Sequence, residues 1–168
     1  MPKKRFRRLT DRQIVCLLKY HRPVRLPDIK KLGIKLTYLD KGIDRLVYRM
    51  GKNLVIKIED MGCSSFAQTP SEIEKFSRVH TENEFKALRK HIPKVLYSDI
   101  ENGIIVVPYY PKRLREGYDE DNFKSLSEHI GKAFPDAESD LHEGNFMYAK
   151  DGTMVCVDLG YSRGANHD

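Results

Sequence analysis

Apolar and polar residues alternate along this chain in two distinct rhythms, and the rhythms divide it into elements. From Thr10 to Tyr20 the apolar positions recur at helical spacing behind Thr10, a residue suited to capping a helix N-terminus, so a short amphipathic helix is expected there. Pro23 and Pro27 end it, and Asp28 to Leu32 allows one more helical turn before Gly33. Between Leu36 and Glu59 the rhythm shortens to that of strands. Lys35–Leu39, Arg45–Met50 and Asn53–Ile58 are predicted to be three strands in quick succession, with turns at Lys41-Gly42 and Gly51-Lys52-Asn53.

A loop of small residues is expected from Asp60 to Thr69, after which Ser71 with Glu74 forms a capping-box pattern that opens a helix. Thr81 with Glu84 repeats the pattern, predicting a second helix or a kinked one that carries Phe85 and Leu88 and ends near Pro93. Val95–Ser98 and Gly103–Val107 are two further strands around Glu101-Asn102-Gly103. Pro108-Tyr109-Tyr110-Pro111 then breaks regular structure in the manner of a linker. Helical spacing returns through Phe123, Leu126 and Ile130 and stops at Pro135. The final elements are two short apolar runs, Phe146–Ala149 and Thr153–Val157, around Lys150-Asp151-Gly152, a hairpin signature.

Composition narrows this picture. At 168 residues, with 40% hydrophobic and 32% charged residues, the chain fits one domain or two small lobes with a real core. No apolar run approaches the roughly 20 residues that cross a bilayer, and the N-terminus lacks a signal-peptide pattern, so a soluble intracellular protein is expected. Cys16, Cys63 and Cys156 are an odd number without metal-binding spacing and read as reduced thiols, Cys156 in a buried strand. The net charge of +6 is unevenly spread: residues 1–35 hold twelve Lys/Arg against two Asp, and the remainder holds 18 against 22 Asp/Glu. The first 35 residues are therefore expected to be a basic extension with a short helix. It would either serve as a solubilising tail or bind nucleic acid or another acidic partner through charge.

Candidate chemistry is concentrated near the C-terminus. Asp140-Leu141-His142-Glu143-Gly144-Asn145 precedes the hairpin and Asp158-Leu159-Gly160 follows it, so pairing of the two strands brings Asn145 and Asp158 to neighbouring ends. Hard oxygen donors held in this way suit Mg²⁺, which takes one or two carboxylates and leaves its other positions to water and phosphate. Asp140 remains as a base. Lys57 interrupts the apolar run Leu54-Val55-Ile56-Lys57-Ile58. On a central strand such a lysine needs an anion, whereas on an edge strand it simply faces solvent.

The order of these parts resembles that of protein-kinase-like phosphotransferases: a glycine-containing strand turn, a strand lysine, a helix glutamate, a proline-broken linker, D-L-x-x-x-N and D-x-G. The D-L-H-x-x-N stretch is closest to aminoglycoside- and choline-kinase-like enzymes. The resemblance covers roughly residues 36–160. It implies an α+β fold with an antiparallel five-stranded N-lobe and one main helix (36–107), a hinge (108–111) and a short, truncated, mainly helical C-lobe carrying the catalytic hairpin (112–168). By the same resemblance, Asp140 is the catalytic-loop aspartate, while Asn145 and Asp158 are the Mg²⁺ ligands. Lys57 meets the α- and β-phosphates of ATP, and Glu84 is its ion-pair partner. Gly42 lies in the phosphate-covering loop and Val47 packs on adenine. Val107 and Tyr109 join the nucleotide-binding residues beside the hinge, and His142, where protein kinases have a lysine, either contacts the γ-phosphate or is a hydrogen-bonded turn histidine.

Three departures bear on function. Asp40 and Arg45 replace two glycines of the phosphate-covering loop, Glu138 stands where the family usually has a histidine, and only eight residues follow Gly160. A minimal C-lobe without a peptide platform is expected. Two readings follow: an ATP- and Mg²⁺-dependent transferase acting on a hydroxyl of a protein or small molecule, or a pseudokinase-type adaptor that binds nucleotide or a partner without turnover.

Overall fold

The strand rhythm between residues 36 and 59 becomes a meander: β1 (Leu36–Lys41), β2 (Arg45–Met50) and β3 (Leu54–Glu59) pair antiparallel in sequence. With β4 (Tyr97–Asp99) and β5 (Ile104–Pro108) they form one antiparallel five-stranded sheet in the order β1-β2-β3-β5-β4, the sheet expected for the N-terminal lobe. This computed structural model describes residues 9–41, 45–59, 68–114 and 117–160. The chain divides into two units, one of Met1–Asp60 with Leu96–Tyr109 and the other of Met61–Val95 with Tyr110–Asp168.

In the first unit, one sheet face presents Met50, Leu54, Ile56, Ile58, Ile104 and Val106 to a buried cluster. Helices α1 (Asp11–His21) and α2 (Leu26–Lys31) contribute Ile14, Leu18 and Ile29 to the same cluster. Thr10 caps α1 as expected: its hydroxyl accepts from the Gln13 amide, and the Gln13 side chain accepts from the Thr10 amide. Residues 9–35 thus contribute side chains to the first unit's core. The amphipathic pattern of α1 has a sheet to cover, and burying those side chains outweighs leaving them in water. Their charge stays outside, with Arg12, Lys19, Arg22, Arg25, Lys30, Lys31 and Lys35 all exposed.

The second unit contains α3 (Gln68–Thr81), α4 (Glu120–Ala133) and a three-stranded sheet of β6 (Lys112–Arg113), β7 (Phe146–Tyr148) and β8 (Met154–Cys156), in the order β6-β7-β8. Three expectations are corrected here. The helix begins by Gln68, so Ser71 lies inside it and the Ser71/Glu74 capping box does not form. What was expected as a second α-helix from Thr81 is a 3₁₀ turn, Asn83–Leu88, with Glu82 at its N-cap position, while the Thr81 hydroxyl donates back to the Ser77 carbonyl. The expected boundary at 36–107 also shifts, because residues 61–95 group with the second unit. There Phe85 stacks on Phe134, and the His91 carbonyl accepts from the Cys156 amide. One boundary between the two units lies between Tyr109 and Tyr110. Among the described residues no helix is long and apolar enough to cross a membrane.

Candidate functional site

Lys57 lies on β3, the central strand of the five, and is only 5% exposed, so the edge-strand alternative fails. Antiparallel register sets Val47 and Ile105 opposite it on either side, and one row along Val55 faces Val107. Paired residues and their i±2 neighbours share a face, so Val47, Lys57 and Val107 project on the side opposite the α1/α2 cluster. Tyr109 continues this line: its amide donates to the Asn53 carbonyl, and the Arg49 guanidinium lies 4.5 Å from its ring centroid. Three of the five residues expected to bind nucleotide therefore occupy one sheet face, and Tyr109, the fourth, directly follows β5. Gly42, the fifth, lies outside the described residues.

The second unit assembles the other group through turns. The 3₁₀ turn Pro135–Asp140 delivers Asp140, whose carbonyl accepts from the His142 amide around Leu141 at φ −82° and ψ 70°, an inverse γ-turn. The Asn145 side-chain nitrogen donates to the Asp140 main-chain oxygen at 2.7 Å and lies 3.3 Å from its carboxylate. The Val157 amide donates to the Asn145 carbonyl, and Phe146 pairs with Cys156, so the hairpin sets Asn145 beside the residue that precedes Asp158. Asp158 accepts the Gly160 amide on Oδ1 at 3.0 Å. Phe146 is fully buried and meets Phe123 of α4 edge-on, and His91 accepts from β8 while its Nδ1 lies 2.7 Å from the Met154 carbonyl. These contacts fix both hairpin strands in the unit.

His142 is 60% exposed, and its Nδ1 accepts the Gly144 amide at 3.1 Å, which in the neutral ring leaves the proton on Nε2. That nitrogen lies 3.8 Å from Asp140 Oδ1, close enough for charge attraction when the ring is protonated but too far for a hydrogen bond. Gly144 permits the turn, since a Cβ there would stand 2.8 Å from the His142 ring. Next to it, Glu143 accepts the Tyr118 hydroxyl at 2.9 Å. The Glu143 carboxyl is held below its usual range by its own backbone amide and then by that hydroxyl, while the Tyr118 hydroxyl is raised, chiefly by the same hydrogen bond.

Glu84 is placed within the second unit. It sits exposed on the 3₁₀ turn, 3.8 Å from Arg78, which holds Glu82 more closely at 3.0 Å. The charged residues that α3 buries are Glu72, fully, and Lys75, at 5% exposure. Reading the sequence missed both. The signal was present in Glu72-Ile73, Phe76 and Val79 at helical spacing, and starting the helix at Ser71 took attention from its first turns.

The donor set fits a hard cation. Since the Asn145 nitrogen is engaged with Asp140, its oxygen is the end of the amide that would face a ligand, on the same hairpin end as the Asp158 carboxylate. Among the described residues no group of three or more His, Cys, Asp or Glu that could hold a metal ion is found.

No family model matches the sequence, and no curated protein gives a significant match. Among solved structures, the streptomycin–ATP–APH(2″)-IIa ternary complex is similar over 79% of this chain and 38% of that chain, at 19% sequence identity and a TM-score of 0.41. The chain thus spans well under half the length of that protein.

Proposed function

We propose that this chain is a protein-kinase-like phosphotransferase that moves the γ-phosphoryl group of ATP to a hydroxyl of a small molecule or protein. The observation that supports it most is the arrangement in the second unit, where the Asn145 side chain bonds Asp140 twice and the hairpin sets Asn145 beside the residue that precedes Asp158. In this reading the acceptor oxygen forms a bond to the γ-phosphorus, the bond from that phosphorus to the β–γ bridging oxygen breaks, and ADP leaves. Asp140 orients the acceptor hydroxyl and takes its proton. Lys57 neutralises phosphate charge, and His142 lends a cation near the γ-phosphate when protonated. Val47, Val107 and Tyr109 form the wall for the base, and Gly42 belongs to the phosphate-covering turn. Asn145 and Asp158 would hold Mg²⁺, which when bound screens the charge on the phosphates. The exposed Lys and Arg residues of 9–35 offer a surface to a polyanionic partner such as nucleic acid.

Incubation of wild-type and Asp158→Ala protein with ATP labelled at the γ-phosphate, first alone and then with a metabolite extract or lysate, tests the reading. Label should appear on an acceptor with wild type and be absent with the variant. Stabilisation by ATP and Mg²⁺ without transfer to any acceptor would favour the adaptor reading.

A further inference from the structure

Lys75 is one of the buried charges that the scheme above leaves unused. Its ammonium donates to the main-chain oxygen of Leu159 at 3.1 Å and pairs with Asp136 Oδ2 at 2.6 Å. The two acceptors belong to different segments. Asp136 lies in the 3₁₀ turn Pro135–Asp140, which ends on Asp140, and Leu159 directly follows Asp158. One side chain on α3 therefore ties the segment that delivers Asp140 to the segment that delivers Asp158.

Stability alone does not account for this arrangement. Withdrawing an ammonium from water costs more than a single half-exposed carboxylate returns, and a methionine would fill the same space without that cost. A lysine here gains something a methionine cannot supply: two directed bonds that fix where two backbone segments lie. The Leu159 carbonyl belongs to the turn in which Gly160 donates to Asp158 Oδ1, so restraining Leu159 also restrains the carboxylate. The Asp136 bond acts at the other end, on the turn that carries Ala137 into the core and leaves Asp140 at its tip.

We propose that Lys75 is a positioning residue of the candidate site, setting the Asp158 turn and the Asp140 turn through one buried ammonium. Its effect on Mg²⁺ and ATP rests on the functional reading above, whereas its effect on the Asp158 turn does not.

Two readouts on the full chain separate these parts. The first is amide hydrogen exchange of wild type, Lys75→Met and Asp136→Asn. Lys75→Met should accelerate exchange at residues 158–160 by about tenfold or more while α4 keeps its protection, since local opening is governed by local bonds. Asp136→Asn, altered at a half-exposed side chain that does not threaten folding, should accelerate exchange in 136–141 by a smaller factor. The second readout is the Mg²⁺ concentration needed for half-maximal thermal stabilisation by ATP. It should rise by about ten- to a hundredfold in Lys75→Met, the range for groups that orient metal ligands, and by less in Lys75→Arg, which restores the charge. Unchanged exchange at 158–160, or acceleration equal across the whole unit, would overturn the positioning role. If Lys75→Met does not fold, Asp136→Asn decides by the same criterion at 136–141. A wild-type protein that shows no response to ATP and Mg²⁺ removes the nucleotide reading and the functional half of this proposal, and the exchange result still decides the structural half.

Discussion

The two units hold their candidate residues by different physical means. In the first, Val47, Lys57 and Val107 share a face because strand register puts them there, and a one-residue slip of β3 would turn Lys57 toward the α1/α2 cluster. In the second, Asp140, Asn145 and Asp158 are placed by individual bonds within turns, Asn145 to the Asp140 carbonyl and Gly160 to the Asp158 carboxylate. A register is a collective property, so it resists any single polar change and fails when the packing behind it fails. Turn bonds are local and can be removed one at a time without unfolding the rest.

The strongest way to break this contrast is to open the packing behind β3. Ile56 is fully buried between Tyr48 and Val106 in the sheet register and faces the α1/α2 cluster. Ile56→Ala should cost about 2–5 kcal/mol of unfolding free energy, the usual range for truncating a buried aliphatic side chain. Denaturant unfolding read by circular dichroism measures it. A loss well under 1 kcal/mol would mean that the register of β3 does not depend on this core.

The same contrast explains what could be read in the sequence. The strands of the first sheet, the Thr10 cap and the β7–β8 hairpin were legible because each rests on local pattern: period-two alternation, a capping box, Asp-Gly between apolar runs. The central place of Lys57 was not, since strand order β1-β2-β3-β5-β4 depends on a pairing between residues about 50 positions apart. Nor was the packing of α1 and α2 on the sheet, because the basic residues around Ile14, Leu18 and Ile29 suggested a separate tail. In the site, the Asn145 and Asp158 hairpin geometry followed from sequence. The burial of Glu72 and Lys75 and the exposure of Glu84 did not, because capping patterns at Ser71 and Thr81 competed with a helix that starts earlier and a 3₁₀ turn that replaces its continuation.

A second, smaller effect should fall on chemistry and not on folding. Asp140→Ala is expected to cut turnover at least about a hundredfold, about 2.7 kcal/mol of transition-state stabilisation. ATP binding and melting temperature should change little. The reason lies in the turn: Asn145 makes its shorter bond to the Asp140 main-chain oxygen, which alanine retains, so the loop keeps its shape when the carboxylate is lost. Steady-state kinetics with a thermal-shift control measures both halves. Unchanged turnover removes Asp140 from the mechanism, and a large drop in melting temperature would show that the second unit is as collective as the first.

The smallest effect concerns pH and belongs to the second unit. The Glu143 carboxyl is held down by its own backbone amide and the Tyr118 hydroxyl, and the Asp151 carboxyl by the amide and hydroxyl of Thr153 in the hairpin turn. A carboxyl whose pKa is lower in the folded state adds stability that is complete above its ordinary range and is lost as pH falls through the folded value. Both groups therefore predict a modest loss between about pH 5 and pH 3, where unperturbed carboxyls begin to protonate. Because both are fully solvent-exposed, the loss should be small and weaken with added salt. Tyr118→Phe removes the hydroxyl that Glu143 accepts, so the acid-side slope of melting temperature against pH should become shallower in that variant and stay as in wild type for Thr10→Ala, whose cap lies in the first unit. An identical slope in Tyr118→Phe and wild type would show that the Tyr118–Glu143 bond does not hold the Glu143 turn in solution.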